Sequence, residues 1–268
     1  MRVQDQSYRL SVMVRQHLKK RKTSSSSFQM RGLDNTRIEA LSDGVFALAI
    51  ALLLISSEVP ETFTELKSFL KNFFPFAATI SILTLVWYQH YVFFVRYGMK
   101  DAGIVALNTL LLFLILFFVY PLKFLFQVLF DLFYGILTDN REALNVLFTE
   151  VISPEESPTL MEIYGFGGTL VFVTVGLMYL IAFKRRVSLN LTKTEIFDTK
   201  SNIYVNLLMG AIPFCSALLA WFEVGGGNTN TFSLSGMFYM LYALVMPVFG
   251  SIRRKRRDKL FPEDIPVS

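Results

Sequence analysis

The sequence predicts an all-α membrane protein with six transmembrane helices per chain, on three observations. More than half of its 268 residues are hydrophobic (53%) and only 18% are charged, with mean hydropathy +0.47, whereas a soluble domain carries about a quarter charged residues. The apolar residues gather into six blocks, each near or above the ~20 residues that a helix needs to cross a hydrocarbon core. Lysine and arginine, finally, favour alternate connections, in step with six crossings.

Taken in order, residues 1–36 read as a separate basic and serine-rich tail, in which "RQHLKKRK" precedes the linker "TSSSS". Such a tail is flexible by composition and suited to lie on anionic lipid. The spans are expected at about 38–57, 73–95, 103–130, 163–183, 202–222 and 232–250, within one transmembrane domain over 37–250. A second basic tail over 251–268 follows, beginning at "RRKRRDK". Pro121 lacks a backbone donor and predicts a kink or break in the third span. The stretch after it, with Lys123, Gln127 and Asp131, is expected to emerge into the interface. Gly165, Gly167 and Gly168 predict close helix packing in the fourth span, because small residues let backbones approach.

The connections fix an orientation. The second holds Arg96 and Lys100, and the fourth is "KRRVSLNLTKTEIFDTK". The third is acidic (Asp131, Asp139, Glu142, Glu150, Glu155, Glu156 and Glu162 against Arg141), and the fifth has no basic residue. With six spans the basic segments share one side, so the positive-inside rule predicts that both termini are cytoplasmic. The net charge of +5 therefore reflects topology, and no nucleic-acid partner is expected.

Catalytic signatures are missing. The single cysteine, Cys215, excludes an intrachain disulfide and a cysteine metal cluster. His17 and His90 lie far apart, and no HExxH, GxSxG, Walker or GxGxxG pattern occurs, so neither enzyme chemistry nor a cofactor is expected.

The first span carries the most informative pattern. At about 100° per residue, Leu41, Val45, Leu48, Leu52 and Ile55 share one stripe, with Ala51 at its edge. Asp43 lies on nearly the opposite face. A carboxylate turned to lipid costs several kcal/mol, so Asp43 is expected to find partners on another helix. Trp87, Gln89 and His90 near the end of the second span, and Asp101 and Asn108 at the start of the third, lie at a matching depth. By spacing alone, such a stripe is more often packing than lining.

Arg37, followed by Leu41-Ser42-Asp43, resembles the R-x-x-x-F-S-D signature on the first helix of the transmembrane protein 175 family, endolysosomal potassium channels with shorter prokaryotic relatives of one six-helix repeat. Trp87 and His90, and Asp101 and Asn108, extend the resemblance, which covers roughly residues 37–250. Two positions depart from the pattern: Leu41 stands for the signature phenylalanine, and Ala51 for a threonine layer. The resemblance implies a homotetramer around a central pore in the cell (plasma) membrane, passing K+ without a cofactor. It also implies a constriction of four-membered rings at Leu48, Ala51, Leu52 and Ile55. Arg37, Ser42, Asp43, Trp87, His90 and Asn108 would form the polar network that holds the helix. A proton-coupled or ion-coupled carrier and a non-transporting membrane scaffold are the competing readings.

Overall fold

The computed structural model of the chain describes residues 28–262 apart from Asn35, 56–58 and Gly227. The basic run and serine linker before residue 28, and the last six residues, lie outside the described residues. The described chain is built of helices: α1 (Arg37–Ile55), α2 (Phe63–Lys71), α3 (Phe73–Tyr97), α4 (Ala102–Leu137), α5 (Arg141–Val146) with a π-helical turn at Leu147–Val151, α6 (Ser157–Lys184), α7 (Lys193–Trp221), α8 (Asn228–Phe238) and α9 (Leu241–Leu260). Six stretches among them are long and apolar enough to cross a membrane: α1, α2 with α3, α4, α6, α7, and α8 with α9.

Several boundaries differ from expectation for local reasons. The connection after α1 contains α2, which starts on a capping box in which Thr62 and Glu65 satisfy each other's backbone N–H groups. The third span is not broken at Pro121, and α4 runs unbroken for 36 residues. The lost donor affects one rung, while the Pro121 carbonyl accepts the Tyr164 hydroxyl of α6. At 1.5 Å per residue α4 is about 54 Å long, well beyond a hydrocarbon core of ~30 Å.

The acidic segment after α4 is folded. Asn140 caps α5 through Ala143 N, and Leu147, Ile152 and Val128 bury a small cluster of their own. α7 begins at Lys193, not at about 202, because Thr192 and Glu195 form a second capping box. The sixth span is interrupted at Tyr239-Met240, and its second part continues through "RRKRRDK" to Leu260. Hydropathy ends there, but arginine and lysine are good helix formers.

The main core lies among α1, α3, α4 and α6, where Phe46, Leu53, Phe93, Leu111, Val119 and Met178 are buried together. α6 meets α7 at Gly165, where a Cβ would fall 2.5 Å from Pro213 O and 2.6 Å from Ala217 Cβ. Gly167 receives the Phe118 ring of α4 just as closely, while Gly168 has ordinary room.

The residues just before α1 are not a separate piece, contrary to the expected tail over 1–36. Phe28 is buried against Tyr97 (ring centroids 5.5 Å apart), and Arg31 N and Gly32 N both donate to Val95 O, at 3.1 and 3.0 Å. This crossing requires two glycines. A Cβ on Gly32 would lie 2.2 Å from Phe94 O, and Gly98 turns the chain with φ +59°.

Candidate functional site

α1 opens on a capping box of its own: Glu39 N donates to Thr36 Oγ1 (3.2 Å) and Thr36 N donates to Glu39 Oε2 (2.9 Å). The pattern T-x-x-E at 36–39 is the signature of such a start. From there Glu39, Ser42, Phe46, Ala49 and Leu53 form the buried row, spaced three and four apart. The row of Leu41, Leu48 and Ile55 points away from it and is 64%, 50% and 75% exposed within the chain. Ala51 is exposed beside that row, and Leu52 and Val45 are half-buried at its flank. Leu52 and Leu53, adjacent in sequence, thus belong to different surfaces.

Three helices meet at one buried polar cluster. His90 Nε2 of α3 lies 2.7 Å from Asn108 Oδ1 of α4, and Asn108 Nδ2 donates to Ser42 Oγ of α1 at 3.0 Å. The Ser42 hydroxyl donates back to Ile38 O at 2.8 Å. An amide oxygen only accepts, so His90 carries its proton on Nε2 here. All three side chains are at most 3% exposed. Deleting one member orphans the others, which costs about 1–3 kcal/mol per buried group.

Asp43 stands apart from that cluster. Its Oδ1 accepts the Trp87 indole N–H at 2.8 Å, across an open groove of about 400 Å³ lined by Phe46, Ala47, Ile50, Leu83 and Thr84. Arg37 is exposed and makes no hydrogen bond or ion pair among the described residues, so within one chain it takes no part in the expected network. Asp101, a candidate partner from sequence, instead faces Arg185 at 3.2 Å. No group of three metal-ligating side chains occurs among the described residues.

Two ion pairs escaped the sequence reading. Arg31 joins Glu195 at 2.7 Å, and Arg253 joins Asp198 at 3.1 Å, with Arg257 at 3.7 Å from the same oxygen. Both acids sit in the first turns of α7. The only signal within reach was the capping pattern T-x-x-E at 192–195, since the arginines lie 164 and 55 residues away.

A multi-span helical membrane protein whose first helix is fixed by buried polar contacts on one side and leaves an apolar row uncovered on the other is the class this geometry defines. The family model described as "Endosomal/lysosomal potassium channel TMEM175" matches residues 37–118, the stretch from Arg37 through α3 into α4. A protein of Marivirga tractuosa named "Potassium channel" is 43% identical over 237 residues, covering 88% of this chain and 95% of the relative. A potassium channel of Chamaesiphon minutus is 32% identical over 101 residues, 35% of this chain and 50% of that protein. Among solved structures, a crystal structure of a variant of the potassium channel MtTMEM175, bound to a nanobody–MBP fusion, superposes with TM-score 0.74 at 42% identity, over 85% of this chain and 97% of the other. The chain belongs to the TMEM175 family.

Proposed function

We propose that the protein is a potassium-selective channel, a homotetramer in the cell membrane with both termini in the cytoplasm, whose pore is lined by α1. One observation carries this reading: α1 is pinned on one face by Ser42, Asn108 and His90 and presents Leu48, Ala51 and Ile55 uncovered on the other. Around a fourfold axis those residues, with Leu52, become apolar rings. Such a constriction gates by dewetting, and its selectivity is modest, because apolar rings offer no fixed ligands and dehydration favours the larger alkali ion. Asp43 with Trp87 and the Ser42 cluster fix the rotation of the helix, and Arg37 is left to act between subunits. K+ is the permeant ion, and neither cofactor nor chemistry is involved. Family membership and relatives named as potassium channels support the ion, and the basic ends of α3, α6 and α9 support the orientation. The basic tails rest on anionic lipid.

Planar bilayers holding the purified protein under opposed potassium and sodium gradients test the reading. Unitary steps that reverse near the potassium potential are expected. Saturable flux without unitary events would replace the channel with a carrier.

A further inference from the structure

The segment leading into α1 is tied down more heavily than a connecting strand needs. The Arg31 guanidinium reaches Glu195 Oε2 at 2.7 Å and Oε1 at 3.0 Å, and donates to Leu189 O (2.9 Å), Asn190 O (3.2 Å) and Gln29 O (2.9 Å). Glu195 is fully buried and uses both oxygens. Oε1 also takes Gln29 N at 2.6 Å, and Oε2 takes Thr192 N at 2.9 Å. One carboxylate therefore closes the cap of α7 and grips the chain six residues ahead of α1. From the other side the segment is held by α3, through Val95 O, Tyr97 and Arg96, whose guanidinium lies 4.9 Å from the Phe28 ring centroid. A turn further along α7, Thr199 Oγ1 meets the Tyr97 hydroxyl at 2.7 Å, which ties the end of α3 to the start of α7 beneath the leader.

We propose that the Arg31–Glu195 pair is a positioning latch for conduction, joining the leader of α1 to the first turn of α7 and so setting the height and rotation at which Leu48, Leu52 and Ile55 meet. The proposal rests on the channel reading above. A helix passes axial and rotational displacement along its length, and Leu52 lies about 22 Å from Arg37 at 1.5 Å per residue. Within the span α1 is held by the Ser42 cluster and, near its far end, by Tyr120 and Lys123, which donate to Leu52 O at 3.5 Å and Leu53 O at 3.4 Å. The attachment of the leader adds a fixed point ahead of the first turn, where those contacts do not reach. A planar guanidinium gripping two carboxylate oxygens and three carbonyls fixes direction as well as distance, which an ammonium does not.

Single-channel recording of the full-length protein tests this, comparing wild type with Arg31→Lys, Arg31→Gln, Glu195→Gln and the double variant Arg31→Gln/Glu195→Gln. Mean open time is expected to shorten about fivefold or more in Arg31→Gln and in Glu195→Gln, the range of ordinary coupling between sites. Arg31→Lys falls between, and the double variant goes no further than a single one. Unchanged open times, or a double variant whose effect is the product of the two singles, would overturn the latch. Amide exchange over residues 37–42 of the purified protein is the second readout, and Glu195→Gln should speed it. If Arg31→Gln does not assemble, Arg31→Lys and this exchange decide. If wild type passes no potassium current, the channel reading falls, while equal exchange in wild type and Glu195→Gln would still overturn the latch.

Discussion

The α6–α7 pair and α1 solve the same problem in opposite ways. α6 and α7 pack backbone to backbone on each other: Gly165 is pressed onto Pro213 and Ala217, and Thr169 Oγ1 donates across to Gly210 O at 3.1 Å, while Leu170 and Leu207 stay exposed on their outer faces. α1 completes one face only and leaves Leu41, Leu48 and Ile55 open. In water such a row would be a liability, but lipid tails are as apolar as leucine and exert no force to bury it. On the proposed reading, the closely packed α6–α7 seam is scaffold, and the uncovered row on α1, a helix fixed by hydrogen bonds on its other side, is the surface that works in the assembly.

The largest expected effect comes from breaking the scaffold. Gly167→Leu drives a side chain into the Phe118 ring, whose nearest atom is 2.2 Å from the position of even a Cβ. A loss of about 3 kcal/mol, the upper end for overpacked cores, should appear in thermal melts of the detergent-solubilised protein. Adjacent leucines sharpen the comparison next. Leu53→Ala should destabilise by about 2–5 kcal/mol as a buried truncation. Leu52→Ala should cost about 1 kcal/mol or less yet raise unitary conductance and lower selectivity. Equal melting temperatures for the two variants would erase the distinction between the faces.

Smaller again is the polar clamp. Asn108→Leu should cost about 1–3 kcal/mol, and a double-mutant cycle with His90→Leu should show strong coupling between the two. Trp87→Phe removes one indole bond to Asp43 and should cost about 1 kcal/mol, read in the same melts. The smallest effect is electrostatic. Neutralising Glu155, Glu156 and Glu162 should lower conductance slightly in dilute salt, and not at all near 1 M, where the Debye length is about 3 Å.

Much of this was legible in the sequence because it is local. Six spans follow from hydropathy. The two faces of α1 follow from a period of 3.6; depth and polarity pointed to Trp87, His90 and Asn108 as partners of Asp43, of which Trp87 is one, while Ser42 was joined to His90 and Asn108 only through the family resemblance. What escaped depends on distance along the chain or on competition between propensities. Glu195 looked like part of a basic loop because its partner lies 164 residues earlier. Arg31 looked like tail because composition does not reveal that Phe28 is buried. Pro121 was expected to kink or break α4; it does not break it, because one missing donor does not overcome a helix packed on several sides. Arg37 was placed in the network by its motif, and one chain gives it no partner there.

The latch has a consequence for the order of biogenesis. Helix α1 leaves the ribosome long before α7, and at ~5–20 residues per second the 164 residues between Arg31 and Glu195 take roughly 8–33 s to synthesise. During that interval Asn108 is already made, so the first three spans can find their register through Ser42 and His90. The Arg31 guanidinium has only its neighbours Phe28 and Gln29 to meet until the fifth span brings Glu195. The proposed latch thus predicts insertion of the nascent chain in two stages, in which the early spans set the rotation of α1 and the late ones lock it.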